Sequence, residues 1–287
     1  MSPVPRFFAD YQERVDAELR VLMPAGPERV GEAMAYTLLA PSKRVRPVLT
    51  LLTNELCGGA AAEAMAAACA VEMVHASSLI LDDLPSMDNA AVRRGRPANH
   101  VAFGEAIAIL AAFGLLDGAF AVITRGYVPA LAAQLTALVA DAVGPDGLIG
   151  GQAADLLATD QAITFEMLER IHRGKTGALF SAAATAGAVT AGASRESVAS
   201  LQAFAKNLGL AFQIIDDLLD VEGDPAVTGK PVREDVKKTT FVSFSGPAGA
   251  RQIATELCHT ADRALTPFGK RAERLRELSA FVAARTG

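Results

Sequence analysis

The stretch "LILDDLPSMDNAAVRRG", residues 79–95, joins an apolar run directly to a dense group of charges. Asp82, Asp83 and Asp88 place three carboxylates close together, and two adjacent arginines follow them. A solvent-exposed surface needs no apolar lead-in, and a hydrophobic core does not tolerate unpaired charge. We therefore interpret the stretch as the end of a buried helix that opens into a polar site.

A second group of carboxylates follows another apolar run in "FQIIDDLLDVEGDP", residues 212–225. Asp216 and Asp220 are four residues apart, so on a helix they point to the same side, with Asp217 beside them. Both groups are expected at helix C-termini, where the helix dipole disfavours negative charge. Bound cations would neutralise them, and oxygen ligands without cysteine indicate Mg²⁺ or Mn²⁺.

Basic segments supply a second kind of charge. Carboxylate-bound Mg²⁺ usually keeps room for phosphate oxygens, and arginine forks match phosphate in two-point contacts. No phosphate-binding glycine loop precedes a predicted helix, so a nucleotide is not indicated. A solvated helix end would explain one acidic group, but it explains two such groups less easily. The basic residues expected to complete a phosphate site are Lys43, Arg44, Arg46, Arg93, Arg94, Arg96, Lys175, Lys230, Lys237 and Lys238.

The composition predicts an all-α protein. The chain has 287 residues, of which 51% are hydrophobic and 6% aromatic, with no tryptophan. Abundant Ala and Leu favour helix, and no convincing strand or repeat is found. We predict one all-α domain over residues 1–287. The helices predicted from apolar periodicity are 8–22, 27–40, 45–57, 60–83, 100–124, 128–143, 163–173, 175–191, 194–221, 247–264 and 268–284.

The charge and the termini limit the partners and the compartment. A net charge of −5 argues against a nucleic-acid partner. The N-terminus carries acidic residues and lacks the apolar core of a signal peptide. The segment from Ala106 to Ile123 is the nearest approach to a membrane span, but it contains Asp117 and is better read as a buried helix. We expect a soluble cytoplasmic protein without stable membrane insertion.

The order of motifs resembles that of the trans-isoprenyl diphosphate synthases of the polyprenyl synthetase family. "DDLPSMD" looks like the first aspartate-rich motif in its longer form, and "DDLLD" looks like the second. "SKRVRP", "MVHASSLILDD", "RRGRP", "GQAADL", "IHRGKTGALF", "FQIIDD" and "GKPVREDVKKTTF" follow the family's order. The resemblance implies about ten or more helices around a central cavity, usually in a homodimer. It also implies a prenyltransferase that joins isopentenyl diphosphate to allylic diphosphates.

Residue by residue, the resemblance assigns roles to most of the charged positions. It puts Mg²⁺ on Asp82, Asp88 and Asp216, with Asp83, Asp217 and Asp220 in support. The allylic diphosphate would be bound by Arg93, Lys175 and Lys230 as well as by the metal. The diphosphate of isopentenyl diphosphate would be bound by Lys43, Arg46, His75 and Arg94, while Thr176 and Gln213 would line the reacting carbon.

Two departures from the family pattern bear on efficiency and product length. Ser42 stands where a glycine usually precedes the basic motif, and Phe113 ends a segment that usually reads "AGD". The position five before the first motif, which carries a bulky aromatic in farnesyl-forming relatives, is Ser77, followed by Ser78. We therefore predict geranylgeranyl diphosphate as the main product, with farnesyl diphosphate as the alternative. Phe113 is the expected new floor of the path for the growing chain.

Three other readings remain open at this point. Glu72–His75, Glu169–His172 and Glu256–His259 have the spacing of di-iron carboxylate bundles, but that reading leaves both aspartate groups unexplained. A terpene cyclase would carry one DDxxD motif but usually a mixed Asn, Ser and Glu second site. A non-catalytic synthase subunit would tend to lack one acidic group, and both are present here.

Overall fold

The computed structural model describes residues 6–23, 25–222 and 239–284, and within them it confirms the all-α fold. A single two-residue strand pair interrupts the helices in these ranges. The first part of the chain forms α1 (Arg6–Leu22), α2 (Glu28–Leu38), α3 (Val45–Leu56), α4 (Ala61–Asp82), β1 (Val92–Arg93), β2 (Arg96–Pro97), α5 (Asn99–Phe103) and α6 (Glu105–Gly126). The second part forms α7 (Pro129–Val143), α8 (Leu148–Ala158), α9 (Phe165–His172), a π turn (Arg173–Gly177), α10 (Ala178–Thr190), α11 (Arg195–Glu222), α12 (Phe241–Ala264), a 3₁₀ segment (Thr266–Ala272) and α13 (Glu273–Ala283).

Two inner helices form the frame of the molecule. Nearly every residue of α3 is buried, and α4 is buried on most of its faces, as expected for helices surrounded by others. Alanines along α4 favour helix and allow α3, α6 and α10 to pack closely around it. The large hydrophobic core that results follows α4 to Ile80 and includes Leu84, so Asp82 and Asp83 lie at its edge. A smaller core group joins α9, the C-terminal half of α11 and α12.

The sequence prediction missed three elements. The predicted helices leave residues 144–162 unassigned, but α8 occupies Leu148–Ala158 although Gly150 and Gly151 lower its helix propensity. Its packing against the π turn explains the helix, since a Cβ on Gly151 would lie 2.2 Å from the backbone nitrogen of Lys175. The expectation of no strand was also wrong. Arg94 and Gly95 both have positive φ and form the tight turn between β1 and β2 that such a hairpin requires.

Two predicted helix boundaries also differ from the structure. A single helix was expected over 100–124, but Gly104, with φ of +87°, separates α5 from α6. The helix expected to begin at 247 begins at Phe241 instead, where the Thr240 side chain accepts a hydrogen bond from the amide of Ser243. The chain then kinks at Gly246, so the prediction recovered only the portion beyond the kink.

Three helices, α4, α6 and α11, are long and apolar enough to cross a membrane by length and composition. Of the most apolar 18 residues in each helix, 67% are buried inside the fold in α4, 44% in α6 and 50% in α11. Helix α6 is the least covered of the three because Leu110 and Phe113 lie on its outer face, 53% and 61% exposed. Much of the apolar character of these helices is therefore accounted for by packing inside the fold.

Candidate active site

The first aspartate group forms a compact turn at the end of α4. The amide of Asp88 donates a 2.9 Å hydrogen bond to the carbonyl of Asp82, so the five intervening residues fold back and bring the two residues together. Met87 anchors this turn, since its sulfur lies 3.8 Å from the Gln152 amide nitrogen on α8. Burial raises the pKa of Asp82, and the charges of Asp88 and Asp83 raise it further against the opposing charge of Lys175.

Asp83 is turned away from this open side and is 2% exposed. Arg93 binds it in a two-point contact, with Nε 2.8 and 2.6 Å from the two carboxylate oxygens and Nη2 2.6 Å from Oδ1. The hairpin places Arg93 there, because Arg93 is the last residue of β1 before the turn. The oxygens of Asp83 thus hold the hairpin to the end of α4, and its supporting place at a metal stays a prediction.

Lys175 lies opposite the first aspartate group, in the π turn. Its Nζ lies 2.8 Å from Asp155 Oδ2 on α8 and 3.8 Å from Asp88 Oδ2. The π turn widens the backbone between α9 and α10, a distortion that is frequent at functional sites. Asp155 was not singled out from the sequence, although it belongs to the quoted "GQAADL" segment. The sequence signal that could have identified Asp155 is its spacing of four residues from Gly151, which puts both on one face of a helix. In the structure that face packs against Lys175.

The second aspartate group lies in the last two turns of α11, and its middle member is buried. Asp217, 4% exposed, accepts hydrogen bonds from Gln213 Nε2 at 3.0 Å and from the amide of Phe241 at 3.2 Å. Thr176 in turn donates to Gln213 Oε1 at 2.8 Å, so the two residues expected at the reacting carbon are in contact. Both oxygens of Asp217 thus accept hydrogen bonds from protein groups, and its supporting place at a metal stays a prediction. Asp216 and Asp220 are half-buried and remain candidates.

A group of cationic side chains lies between the two aspartate groups. Arg46 Nη1 lies 3.3 Å from His75 Nε2, and its guanidinium lies 4.7 Å from the centre of the Phe180 ring. Burial lowers the pKa of Arg46 to about 10, opposed by the charges of Glu72 and Asp216. Desolvation, followed by the charges of Arg46 and Arg94, also lowers the pKa of His75 well below its ordinary value.

Arg46 and Arg94 share a further property. Within the part of the chain that the structure describes, no carboxylate lies within 4.0 Å of either guanidinium. Burial lowers the pKa of Arg94, and Arg44 and Arg93 lower it further against the charge of Glu72. Buried cations without a bound carboxylate are costly and are typical of a site that awaits an anion.

The remaining basic residues differ in where they lie relative to the two aspartate groups. Arg44 is 3% exposed and is bonded to protein groups on all sides, so its expected role in binding phosphate is corrected. Arg96 lies outside the site, with its guanidinium 3.9 Å from the centre of the Tyr36 ring. Lys43 lies on the loop before α3, and Lys230, Lys237 and Lys238 lie outside the described residues.

The positions expected to set product length do not face the same way. Ser77 is 4% exposed and donates a 2.8 Å hydrogen bond to the carbonyl of Ala112 on α6. Ser78 bonds within its own helix, to the carbonyl of His75, and is only half-buried. Phe113 is 61% exposed on the outer face of α6. The expectation that Phe113 forms the floor of a path inside this chain was therefore wrong, because its side chain points away from the interior.

The glutamates of the di-iron alternative are bonded within the protein. Glu72 accepts from Arg44 at 2.7 Å, Glu169 accepts from Arg173 at 2.7 Å, and Glu256 accepts from Gln252 at 3.0 Å. Over the described ranges, no three His, Cys, Asp or Glu side chains converge on one point. A di-iron centre, which requires such convergence, is not what these pairs build.

Comparison with known proteins agrees with this geometry. The family model for polyprenyl synthetase matches residues 27–248. The chain belongs to the polyprenyl synthetase family. It is 41% identical to a farnesyl diphosphate synthase of Geobacillus stearothermophilus over 98% of both chains. It is 44% identical to a chloroplastic geranylgeranyl pyrophosphate synthase of Capsicum annuum, over 85% of this chain and 68% of the relative.

Solved structures of this family have the same fold. A geranylgeranyl pyrophosphate synthetase from Pyrococcus horikoshii superposes with a TM-score of 0.87 at 31% identity, over 97% of this chain and 98% of the other. An apo FPP/GFPP synthase from Zymomonas mobilis gives a TM-score of 0.86 at 33% identity over the same shares. The protein is thus a prenyltransferase of a family that acts on isoprenyl diphosphates.

The donor set of the polyprenyl synthetase site fits a hard divalent cation. Mg²⁺ is usually bound by one or two carboxylates plus substrate phosphates and waters, so it does not need a cage of three protein ligands. Asp82 and Asp88 are adjacent, and burial together with neighbouring negative charge raises the pKa of Asp82. A bound cation would relieve that repulsion and leave room for phosphate oxygens.

Proposed function

We propose that this protein condenses isopentenyl diphosphate head-to-tail with the allylic diphosphates dimethylallyl, geranyl and farnesyl diphosphate. The observation that carries the proposal is the pairing of two kinds of anion site in the region bounded by Asp82, Asp216, Arg46 and Arg94, which we call the cleft. The carboxylates at the ends of α4 and α11 suit a metal-bound diphosphate. Arg46 and Arg94, which have no carboxylate within 4.0 Å among the described residues, suit a diphosphate bound directly.

The two substrates divide between these sites. Asp82, Asp88 and Asp216, with Asp220 in support, would hold Mg²⁺, or Mn²⁺, for the allylic diphosphate. Arg93 and Lys175 add positive charge on that side, and Lys230 is assigned there by the family resemblance. The diphosphate of isopentenyl diphosphate would bind Lys43, Arg46, His75 and Arg94.

The reaction follows from where these charges lie. The metal, when bound, neutralises the charge that develops on the departing diphosphate. Arg93 and Lys175 stabilise the same charge from the protein side, which favours cleavage of the allylic carbon–oxygen bond. Thr176 and Gln213, which are hydrogen-bonded to each other, would line the reacting carbon by the family resemblance. Arg46, His75 and Arg94 hold the isopentenyl double bond in place for attack, and the departed diphosphate takes up the proton that is then lost.

We propose geranylgeranyl diphosphate as the main product, because no aromatic shelf stands at Ser77 or Ser78 on the helix that ends in Asp82. The matched relatives include both a farnesyl diphosphate synthase and a geranylgeranyl pyrophosphate synthase. The farnesyl product is the alternative, and Phe113 has no part in the path within this chain.

The test is incubation with isopentenyl diphosphate, Mg²⁺ and each allylic primer in turn, with the chain lengths of the products resolved. We expect twenty-carbon product from every primer. Ser78→Phe, which places an aromatic ring on the less buried position, should shorten it to farnesyl, and Ser77→Phe should do so at a cost in stability. Wild-type protein that stops at farnesyl despite excess isopentenyl diphosphate would overturn the product, and an inactive protein would overturn the reaction.

We further propose that residues 1–287 act as one cytoplasmic domain that forms a homodimer. Leu110 and Phe113 support the dimer, since both are large apolar side chains exposed on one face of α6. Light scattering of the wild type and of Phe113→Asp tests it. A dimer in the wild type and a monomer in the variant are expected, whereas a monomeric wild type would contradict it.

A further inference from the structure

Arg44 is a buried arginine at the start of α3 that joins three other elements. Its Nε donates to Asp16 on α1 at 2.8 Å, and its Nη1 donates to Glu72 on α4 at 2.7 Å. Its Nη2 donates to the carbonyls of Leu38 and Ala40 at 2.7 and 3.2 Å, at the end of α2. The rigid fork of an arginine suits such a junction, which a lysine would not reproduce.

The backbone of Arg44 is also unusual. Its φ of 48° and ψ of 36° lie in the left-handed region, which is uncommon for a residue other than glycine. The contacts of its guanidinium fix this conformation, because they hold the side chain from several directions at once. Arg46 lies two residues later, in the first turn of α3. The backbone conformation of Arg44 therefore sets the direction in which α3 starts and the position of Arg46.

Glu72, the partner of Arg44 on α4, is 2% exposed and lies one helical turn before His75. The Arg44–Glu72 ion pair and the Arg46–His75 contact therefore join the same two helices, one turn apart. A rotation or shift of α3 that separates the first pair must also move Arg46 away from His75.

We propose that Arg44 and Glu72 are positioning residues that hold Arg46 and His75 in the geometry that binds the diphosphate of isopentenyl diphosphate. The inference rests on the proposed function. It gives Arg44, the second basic residue of the SKRVRP motif, a role that differs from the substrate-binding role proposed for Lys43 and Arg46. Neither residue touches substrate in this proposal, and each acts through the cation it places.

Charge gives Glu72 a second part in the same role. Burial disfavours the charged forms of Arg46 and Arg94, and the charge of Glu72 opposes that effect at both residues. Asp216 also faces Arg46, and Asp83 also faces Arg94, but Glu72 is the carboxylate common to the two. Glu72 thus favours the charged form of both side chains, in addition to the contact that it makes with Arg44.

Ser42, the departure from the family's usual glycine, belongs to the same junction. Its hydroxyl lies 3.4 Å from Glu72 Oε1, and its carbonyl accepts a 2.6 Å hydrogen bond from Gln12 on α1. The serine therefore adds a contact to the Arg44–Glu72 pair and ties the loop to two helices.

The experiment is steady-state kinetics of Glu72→Gln in the full-length protein, with each substrate varied in turn. We expect the KM for isopentenyl diphosphate to rise about 10-fold, while the KM for the allylic primer changes by less than about twofold. The matched control is Glu55→Gln. Glu55 is bonded to Arg274 at 3.0 Å and to Tyr11, and it lies at the far end of α3 from Arg46. It should leave both KM values within about twofold of the wild type.

A second variant separates positioning from folding. Arg44→Met combined with Glu72→Leu replaces the buried ion pair by apolar side chains of similar size, an exchange that often preserves stability. It also removes the bonds from Arg44 to Asp16, Leu38 and Ala40, so some loss of thermal stability is expected without loss of the fold. The double variant should fold, as judged by circular dichroism and thermal unfolding, and still show the raised KM for isopentenyl diphosphate alone. Wild-type KM values in the folded double variant, or an equal rise for both substrates, would overturn the inference. Wild-type protein inactive with every primer would instead overturn the proposed function.

Discussion

The two aspartate groups have the same sequence pattern but are built differently. In each, the second aspartate of the adjacent pair is buried and the first lies nearer the cleft. Asp83 is bound by the guanidinium of Arg93, whereas Asp217 is bound by the side-chain amide of Gln213 and the backbone amide of Phe241. The first group rests on the large core through α4, and the second rests on the smaller core group through α11.

This difference shows why each motif carries a doubled aspartate. In each pair the half-buried carboxylate is the proposed metal ligand, and its buried neighbour holds the surrounding frame in place. At the first group the frame is the hairpin that carries Arg93 and Arg94. The bond that Arg93 donates to Asp83 therefore fixes the position of both arginines. At the second group the frame is the junction of α11 with α12, and the bond from Asp217 also orients Gln213.

The largest expected effect tests what the groups have in common. Asp82→Ala or Asp216→Ala should lower turnover by on the order of 1,000-fold, because each removes a proposed ligand from the metal-bound diphosphate. Rates at saturating Mg²⁺ and far-ultraviolet circular dichroism are the measurements, and helicity should be unchanged. Near-normal turnover in either variant would show that the two groups do not share one function.

The aspartate groups and the order of the basic motifs could be read from the sequence because they are local patterns. The roles within each group could not. Asp83 and Asp217 look like ligands until their partners are known, and those partners come from β1 and α12. Arg44 and Arg46 are likewise two residues apart in one motif, yet one is bound internally and the other lines the cleft.

Long helices were predicted better than short elements for a related reason. Periodicity identified α3, α4 and α11 because each buries apolar residues over several turns. Helix α8 depends instead on a close backbone approach at Gly151, and the hairpin depends on the positive φ of Arg94 and Gly95. Such tertiary and backbone effects leave little trace in hydrophobic patterning.

A second prediction sharpens the contrast between the buried aspartates. Asp83→Asn should lower the free energy of unfolding by about 3 kcal/mol, because it leaves the guanidinium of Arg93 without its counterion. Asp217→Asn should cost about 1.5 kcal/mol, since its described partners are uncharged donors and one of the two bonds can be kept. Urea denaturation of both variants measures the difference, and equal losses would mean that the two aspartates support the fold in the same way.

The smallest expected effect concerns the division between the metal side and the cation side of the site. Arg46 contacts His75 on one side, whereas Lys175 and Arg93 lie at the first aspartate group, so the isopentenyl and allylic sites should be separable by mutation. Arg94→Ala and Lys43→Ala should raise the KM for isopentenyl diphosphate, and Lys230→Ala that for the allylic primer. Loss of one charge-assisted hydrogen bond costs about 1.5–3 kcal/mol, or roughly 10- to 150-fold in KM.

Arg96→Ala is the matched control for Arg94→Ala, because it removes the same side chain from the same hairpin. The guanidinium of Arg96 lies 3.9 Å from the centre of the Tyr36 ring, so its loss should leave both KM values near those of the wild type. If Arg96→Ala matched Arg94→Ala, the effect would come from the hairpin as a whole rather than from an anion contact. If Arg94, Lys43 and Lys230 each affected both substrates equally, the cleft would hold one shared diphosphate site, and the division between a metal side and a cation side would fail.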